Sequence, residues 1–303
     1  MKNRFNLPES AVEFLEYLHT NNKSPDTIVG YESDLNVFCN FLKEYKNKRK
    51  ITNVIIKSLT LDDLNKFINY TKTKEKKNSE YGRARKVATL KSYFKHLCIC
   101  GVLDRNTAEG LETPKIGKKI PIAFTDEQVE KIFNALDCED LNYYRDKCIT
   151  TLLFKTGIRV SELVNIKLND IQGNKLLVTR KGNKEDCVYL NRQCLEALHE
   201  YMKNRVTDGL SEEDKKYLFI TRIKQRISKR AVENMMKELY KKAGLTDKKY
   251  VTHTSRHTVG TNVYKKTKDI LMVAEVLGHS NINTSRIYIT MDEDSIKSVM
   301  EDL

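Results

Sequence analysis

Apolar positions recur at intervals of three and four through most of the first hundred residues, the spacing of one face of an α-helix. Ile28, Tyr31, Leu35, Phe38 and Leu42 form one such stripe, and Ser24-Pro25 ahead of it supplies a cap and a first-turn residue. A second helix is predicted from Thr60, with Asp63 three residues on as a relative of the capping box, through Leu64, Phe67 and Ile68. A third runs from Ser79 to Cys100, with Tyr81, Ala84, Val87, Phe94 and Leu97 on one side and Gly101 as its C-cap. Arg83, Arg85, Lys86, Lys91 and Lys95 lie elsewhere on that helix.

The periodicity lapses over LETPKIGKKIPIAFT (111–125), which holds two of the four prolines and reads as a domain linker. The boundaries predicted are an N-terminal helical domain over 1–113, a linker over 114–124 and a second domain over 125–303. Beyond it Thr125 caps a helix through Val129, Ile132 and Phe133, and Tyr144 to Phe154 reads as a buried helix. In LLVTRKGNKEDCVYL (176–190), two short β-branched runs flank Lys181-Gly182-Asn183-Lys184, a hairpin signal.

The pattern is helical again afterwards. Ile223 to Ala243 reads as one helix with Arg226, Ser228, Lys229 and Arg230 at its start. ILMVAEVLGHSNINTSRIYI gives an apolar helix stopped by Gly278, then a Ser280-capped helix reaching Tyr288. Ile296, Val299, Met300 and Leu303 make an amphipathic tail over 292–303, which needs a host surface. The class is mainly α, with one small antiparallel sheet.

Charge narrows the partner. The 54 Lys and Arg exceed the 41 Asp and Glu, a formal net charge of +13. The excess is shared: 21 basic against 14 acidic residues through Gly117, 33 against 27 after it. Two domains of like sign suit a clamp on a polyanion better than a basic tail would. The seven cysteines lack CxxC spacing, no apolar run approaches a membrane span, and the N-terminus lacks the apolar core of a signal peptide, so a reduced, cytoplasmic setting is expected. No glycine-rich phosphate loop or metal-ligand spacing is present, so no cofactor is expected.

Candidate chemistry clusters late in the chain. Of six histidines, His253, His257 and His279 fall within the last 51 residues, with Arg256 among them and Tyr288 after them. On a helix His253 and Arg256, three apart, share a face, as do Arg159 and Glu162 in TGIRVSEL. Taken singly, these read as a surface ion pair, a chance motif and one tyrosine among 15.

Taken in order, TGIRVSEL, the lysine of TRKGNKE, HTSRHT and LGHSNINTSRIY resemble the tyrosine recombinase (lambda-integrase-like) family, most closely its two-domain Xer and transposon or phage integrase members; RARKVATLKSYFKHL and NTAEGLETPK extend the match. The resemblance implies an N-terminal core-binding domain of four-helix type and a mainly helical catalytic domain. It puts the catalytic arginines on Arg159 and Arg256, the hairpin lysine on Lys181, the histidines on His253 and His279, and the nucleophile on Tyr288. Glu162 matches an acid that supports the arginine and histidine, and His257 takes a structural role. Two departures stand out: Ser255 occupies a usually apolar position, and the tail lacks the basic, proline-containing ending common in chromosomal Xer proteins.

These residue types suit phosphoryl transfer. Guanidinium groups stay charged and bind phosphate oxygens in a fork, answering the added charge of the transition state. A phenol, with a reference pKa of about 10, leaves more readily than an alkoxide, so a phosphotyrosine bond is reversible without ATP. Lys181 would protonate the departing 5′-oxygen and His253 would act as base. The resemblance also implies DNA contacts from Arg83, Arg85, Lys86 and Lys91, and a second set is expected from Arg226, Ser228, Lys229 and Arg230, whose positive charge at a helix start suits an external anion. The expected partners are duplex DNA with inverted-repeat core sites and further copies of this chain, as a tetramer on two sites with exchanged C-terminal helices. A type IB topoisomerase would share the chemistry, but the two-domain size and tail helix favour recombination; a non-catalytic architectural protein should have lost at least one of these side chains.

Overall fold

Capped amphipathic stripes become helices wherever a second stripe is available to cover them. A computed structural model describes residues 7–73, 78–117, 122–180, 184–279 and 281–289, and the chain divides into two compact units, Met1–Lys118 and Lys119–Leu303. Among the described residues no helix is long and apolar enough to cross a membrane.

The first unit packs α1 (Glu9–Thr20), α2 (Pro25–Tyr45), α4 (Leu61–Thr73) and α5 (Glu80–Ile99), with the one-turn α3 (Asn53–Lys57) between α2 and α4. Ser24 Oγ accepts the Thr27 amide and Ser79 Oγ that of Gly82, so the predicted caps form. Thr60 and Asp63 cap each other's amides, at 3.0 and 3.3 Å. Phe14, Leu35, Phe38, Phe67 and Phe94 fill the core, Phe38 meeting Phe67 edge-on at 4.9 Å.

Lys86 departs from expectation. Read as a DNA contact, it is buried: its ammonium lies 3.1 Å from the Asp34 carboxylate and donates to Asn78 Oδ1. Thr89 donates to the other Asp34 oxygen, and Arg85 reaches over the same acid at 3.0 Å while donating to the Gly30 carbonyl. The partner lies 52 positions earlier in the chain, so the basic run around Lys86 gives no sign of it.

In the second unit α7 (Tyr143–Thr156) is the central helix, buried along most of its length and packed by α9 (Arg192–Asn204) and α12 (Thr252–Thr267). The unit also holds α6 (Asp126–Asn134), α8 (Val160–Leu163), α10 (Glu212–Lys215), α11 (Lys229–Lys242) and α13 (Ile270–Leu277), with α6, α8 and α12 meeting α11 and with α13 packed on α12. Phe124, placed by its neighbouring prolines and lysines in the linker, is buried in this core against Tyr250 and Tyr240, its amide bonded to Thr258 Oγ1.

The hairpin forms as β2 (Lys175–Arg180) and β3 (Lys184–Tyr189), in antiparallel register with Val178 opposite Asp186 and Arg180 opposite Lys184. A short β1 (Ile171–Gln172) adds a third strand beside β2.

Two predicted helices are shorter than expected. The segment 223–228 is not helical: Arg226 pairs with Ile220 in a bridge, donates its amide to Asp214 and stacks on Tyr217, so α11 starts at Lys229 behind a Ser228 cap. Tyr288 is reached through two 3₁₀ turns, Ile282–Thr284 and Arg286–Tyr288, the first capped by Asn281. Lys181, Ser280 and the 292–303 tail lie outside the described residues.

The buried Lys86–Asp34 pair makes a stability prediction. Asp34→Ala strands a buried ammonium, and urea unfolding of the whole chain is expected to show a loss of about 3–5 kcal/mol in the first unit. A loss under about 1 kcal/mol, the range of exposed pairs, would mean that Lys86 escapes to water.

Candidate active site

The site is assembled at the ends of helices. Gly157 terminates α7 with φ 66°, and a Cβ there would press on Leu277 and Val259, so the position requires glycine on both counts. The chain then turns into α8, where the Glu162 carboxylate accepts the Arg159 amide at 3.0 Å and its guanidinium at 2.7 Å. Glu162 is buried, whereas the Arg159 side chain stays one-third exposed.

Arg256 projects from α12 and is 3 % exposed. Its Nη1 donates to the Gly157 carbonyl at 2.6 Å and its Nη2 to the Leu277 carbonyl. Arg159 Nη2 donates at 3.4 Å to the next carbonyl, that of Gly278. Two arginines 97 positions apart therefore meet at the left-handed turn that ends α13, where Gly278 has φ 60°. Main-chain carbonyls orient Arg256 without neutralising it, and two of its five N–H groups are accounted for. Burial and the nearby Arg159 pull its pKa down to about 10, which leaves it charged at neutral pH.

Tyr288 packs against α12 at Gly260, in a small apolar cluster with Val259, Val273 and Leu277. It is 1 % exposed, and its ring occupies the space a side chain on Gly260 would need. Burial pushes its phenol up to about 12, against the pull of Arg256 and Arg159. The hydroxyl lies 3.2 Å from His257 Nδ1, a partnership that the structural role assigned to His257 did not anticipate. A sequence signal for it exists: His257 and Gly260 are three apart, so both face the same strip of α12.

His253 stands edge-on to His257 at 4.8 Å, and His279 Nδ1 is 2.6 Å from Ser285 Oγ. All three imidazoles are held below their usual range. Burial is the largest cause for each, followed by Arg256 and Arg159 for His253 and His279, and by His253 and Arg256 for His257. His257 and His279 fall to about 4, so they are neutral hydrogen-bonding groups at pH 7. Among the described residues no three His, Cys, Asp or Glu side chains are grouped as a metal site.

Arg159 and His253 also line a cavity of about 780 Å³, bordered by Lys229, Lys237, Lys241 and Lys248. Ser228, Lys229 and Arg230 are exposed at the start of α11, and Arg226 is half-buried before it. In the first unit Arg83 and Lys91 are half-buried, and Arg85 is tied to Asp34 with its side chain 45 % exposed.

The lowered histidines set a direction for stability against pH. Between pH 6.5 and about 4 the unfolded chain takes up protons that folded His257 and His279 refuse, so stability falls as pH falls through that window. Each contributes up to about 1.4 kcal/mol per pH unit. Urea midpoints measured from pH 7 to 5 are expected to fall, and His279→Gln should flatten the slope. An unchanged slope in that variant would mean that His279 titrates normally.

Comparison with known proteins identifies the family. Residues 123–294 match the model of the phage integrase family, and residues 11–99 match its N-terminal SAM-like domain. A tyrosine recombinase XerC from Caldanaerobacter subterraneus subsp. tengcongensis is 38 % identical, over 97 % of this chain and 86 % of the relative. The XerH recombinase in its post-cleavage complex with a palindromic difH substrate superposes with a TM-score of 0.77 at 18 % identity, over 98 % of this chain and 97 % of the other. Lambda integrase, as a tetramer bound to a Holliday junction, gives 0.67 at 17 % identity, over 90 % and 76 %. The low identities of the last two speak to fold alone, but the family match spans more than half of the chain and the XerC match nearly all of it. This chain belongs to the phage integrase family of tyrosine recombinases.

Proposed function

We propose that this protein cuts and rejoins duplex DNA at specific sites, using Tyr288 as nucleophile, and exchanges strands between two such sites. The observation that carries the reading is the convergence of Arg159 and Arg256 on consecutive carbonyls, in the unit that also seats Tyr288.

The Tyr288 oxygen attacks phosphorus, the bond to the 5′-oxygen breaks, and a 3′-phosphotyrosine forms. Arg159 and Arg256 take the non-bridging oxygens, and the neutral imidazole of His279 adds a hydrogen bond. His253, beside the cavity, receives the phenol proton. Lys181, whose role rests on the resemblance alone, gives a proton to the 5′-oxygen. The reverse attack by a new 5′-hydroxyl completes the exchange.

In the arrangement described, Tyr288 is too deeply buried to meet a phosphate, so it has to leave its seat when DNA binds. His257 secures the phenol until then. DNA is gripped by Arg83, Arg85 and Lys91 in the first unit and by Ser228, Lys229 and Arg230 in the second, with Arg226 lending its half-buried charge and Lys86 taking no part. The working form is a homotetramer on two inverted-repeat sites, with the 292–303 segment exchanged between protomers, in the cytoplasm. Lambda integrase, which shares the fold and forms a tetramer on a Holliday junction, supports that assembly.

A nicked suicide duplex should yield a covalent protein–DNA adduct on a denaturing gel, and Tyr288→Phe should abolish it; equal adduct in the variant rules Tyr288 out. Lys181→Ala is expected to slow cleavage of ordinary DNA by about 10²–10⁴-fold, the usual worth of a general acid, and to cost much less with a 5′-sulfur leaving group. Equal slowing on both substrates removes Lys181 from the acid role. The two histidines separate in single turnovers: His253→Ala should cost at least about a hundredfold and His257→Ala less than about tenfold, and the reverse order would exchange their roles.

A further inference from the structure

Strand β2 alternates. Leu176 and Val178 point inward and are buried, Lys175 and Thr179 are exposed, and the period places Arg180 on the inward face. A β-branched or aromatic residue would suit that position. The Arg180 side chain is instead only 10 % exposed, although burying a guanidinium is unfavourable unless its donors are met.

They are not fully met. Among the described residues the acid that reaches Arg180 is Asp186, 2.8 Å from Nε but off the N–H direction and itself 39 % exposed. Among the described residues, neither Nε nor Nη1 has a hydrogen-bond acceptor, though both atoms are shielded from solvent. Nη1 lies where a Cβ on residue 278 would stand, so the group fits only because that residue is glycine.

The position explains what the free donors are for. The Gly278 carbonyl accepts from Arg159 and the Leu277 carbonyl from Arg256, so Arg180 brings a third guanidinium to the same turn. Its field reaches the site, since Arg180 is among the charges that lower Arg256 and His279. Three like charges at one turn, one of them with buried, unfilled donors, call for an anion.

We propose that Arg180 is a third phosphate-binding arginine of this active site, donating through its free N–H groups to the phosphate that Arg159 and Arg256 engage. The proposal deepens the strand-cleavage reading and rests on it. The rival is a positioning role, in which Arg180 merely fastens the hairpin to the α13 turn through shape and Asp186.

Charge at the phosphate separates the two. The probe is a nicked suicide duplex whose sequence the protein itself selects from a randomised inverted-repeat pool. It is made with either an ordinary scissile phosphate or a methylphosphonate, which lacks one charged oxygen. Arg180→Ala is expected to cut the ordinary duplex at least about tenfold more slowly than the parent, and to recover most of that loss on the methylphosphonate. In a Tyr288→Phe background, Arg180→Ala should also bind the charged duplex with less preference over the neutral one than its parent does.

Equal slowing on both duplexes, or none on either, overturns the proposal. Arg256→Ala run in parallel identifies a failure of the underlying reading: if it too is indifferent to the phosphate charge, and Tyr288→Phe still forms adduct, the cleavage site itself is wrong. Should Arg180→Ala fail to fold in a thermal melt, Arg180→Lys and Arg180→Met provide the same comparison. Lys keeps a charge without the fork and should fall between Met and the parent; a Lys variant no better than Met on the ordinary duplex counts against phosphate binding.

Discussion

The two arginines of the candidate site depend on one left-handed turn, the Leu277-Gly278 end of α13, whose two carbonyls hold Arg256 and Arg159. A carbonyl suits this better than a carboxylate would. It fixes the guanidinium by a hydrogen bond yet leaves the positive charge in place for a phosphate. Of the two, among the described residues, Arg159 is the one paired with an acid, Glu162, and it remains partly open to solvent. Arg256 is buried, and among the described residues its hydrogen bonds go to main-chain carbonyls. The cost of that enclosure is visible in its lowered pKa, and a bound phosphate would offset it.

The same turn couples the arginines to the tyrosine. Leu277 gives its carbonyl to Arg256 and its side chain to the cluster that buries Tyr288, and Val259 on α12 touches both sides of that arrangement through Gly157 and the cluster. A phosphate drawing Arg256 forward would pull on α13, and α13 packs the seat of Tyr288. The seat is shallow by the standards of a core, a satellite cluster of four buried residues rather than part of the main one. Such a cluster can open without unfolding the unit, because α7 and its neighbours keep their own core.

Legibility in the sequence followed the range of the interaction. The helices with local caps, at Ser24, Thr60, Ser79 and Thr125, were readable because cap and stripe lie within one short window. The meeting of Arg159, Arg256 and Tyr288 in one unit was expected from the family motifs, since their spacing alone says nothing about contact. What stayed hidden was long-range pairing. Lys86 looks like its basic neighbours until Asp34 is brought beside it, and His257 gains Tyr288 from 31 positions away. The short start of α11 was missed because the Asp214 and Tyr217 contacts of Arg226 override a continuous helical stripe.

Arg180 is a different case, because its signal is local. The alternation of β2 places it on the buried face, but it stands beside Lys181, the lysine that matches the family motif, and reads as one more cation of the hairpin. A buried guanidinium at the end of a strand is a departure from the apolar pattern, and such departures concentrate where function outweighs packing. The glycine it rests on makes the same point from the other side. A left-handed turn requires glycine or asparagine, but here the missing side chain is also the space that Nη1 fills, so asparagine would satisfy the backbone and still expel the arginine. Backbone conformation and charge placement thus converge on one residue, and that overlap ties the hairpin carrying Arg180 to the turn that orients Arg159 and Arg256.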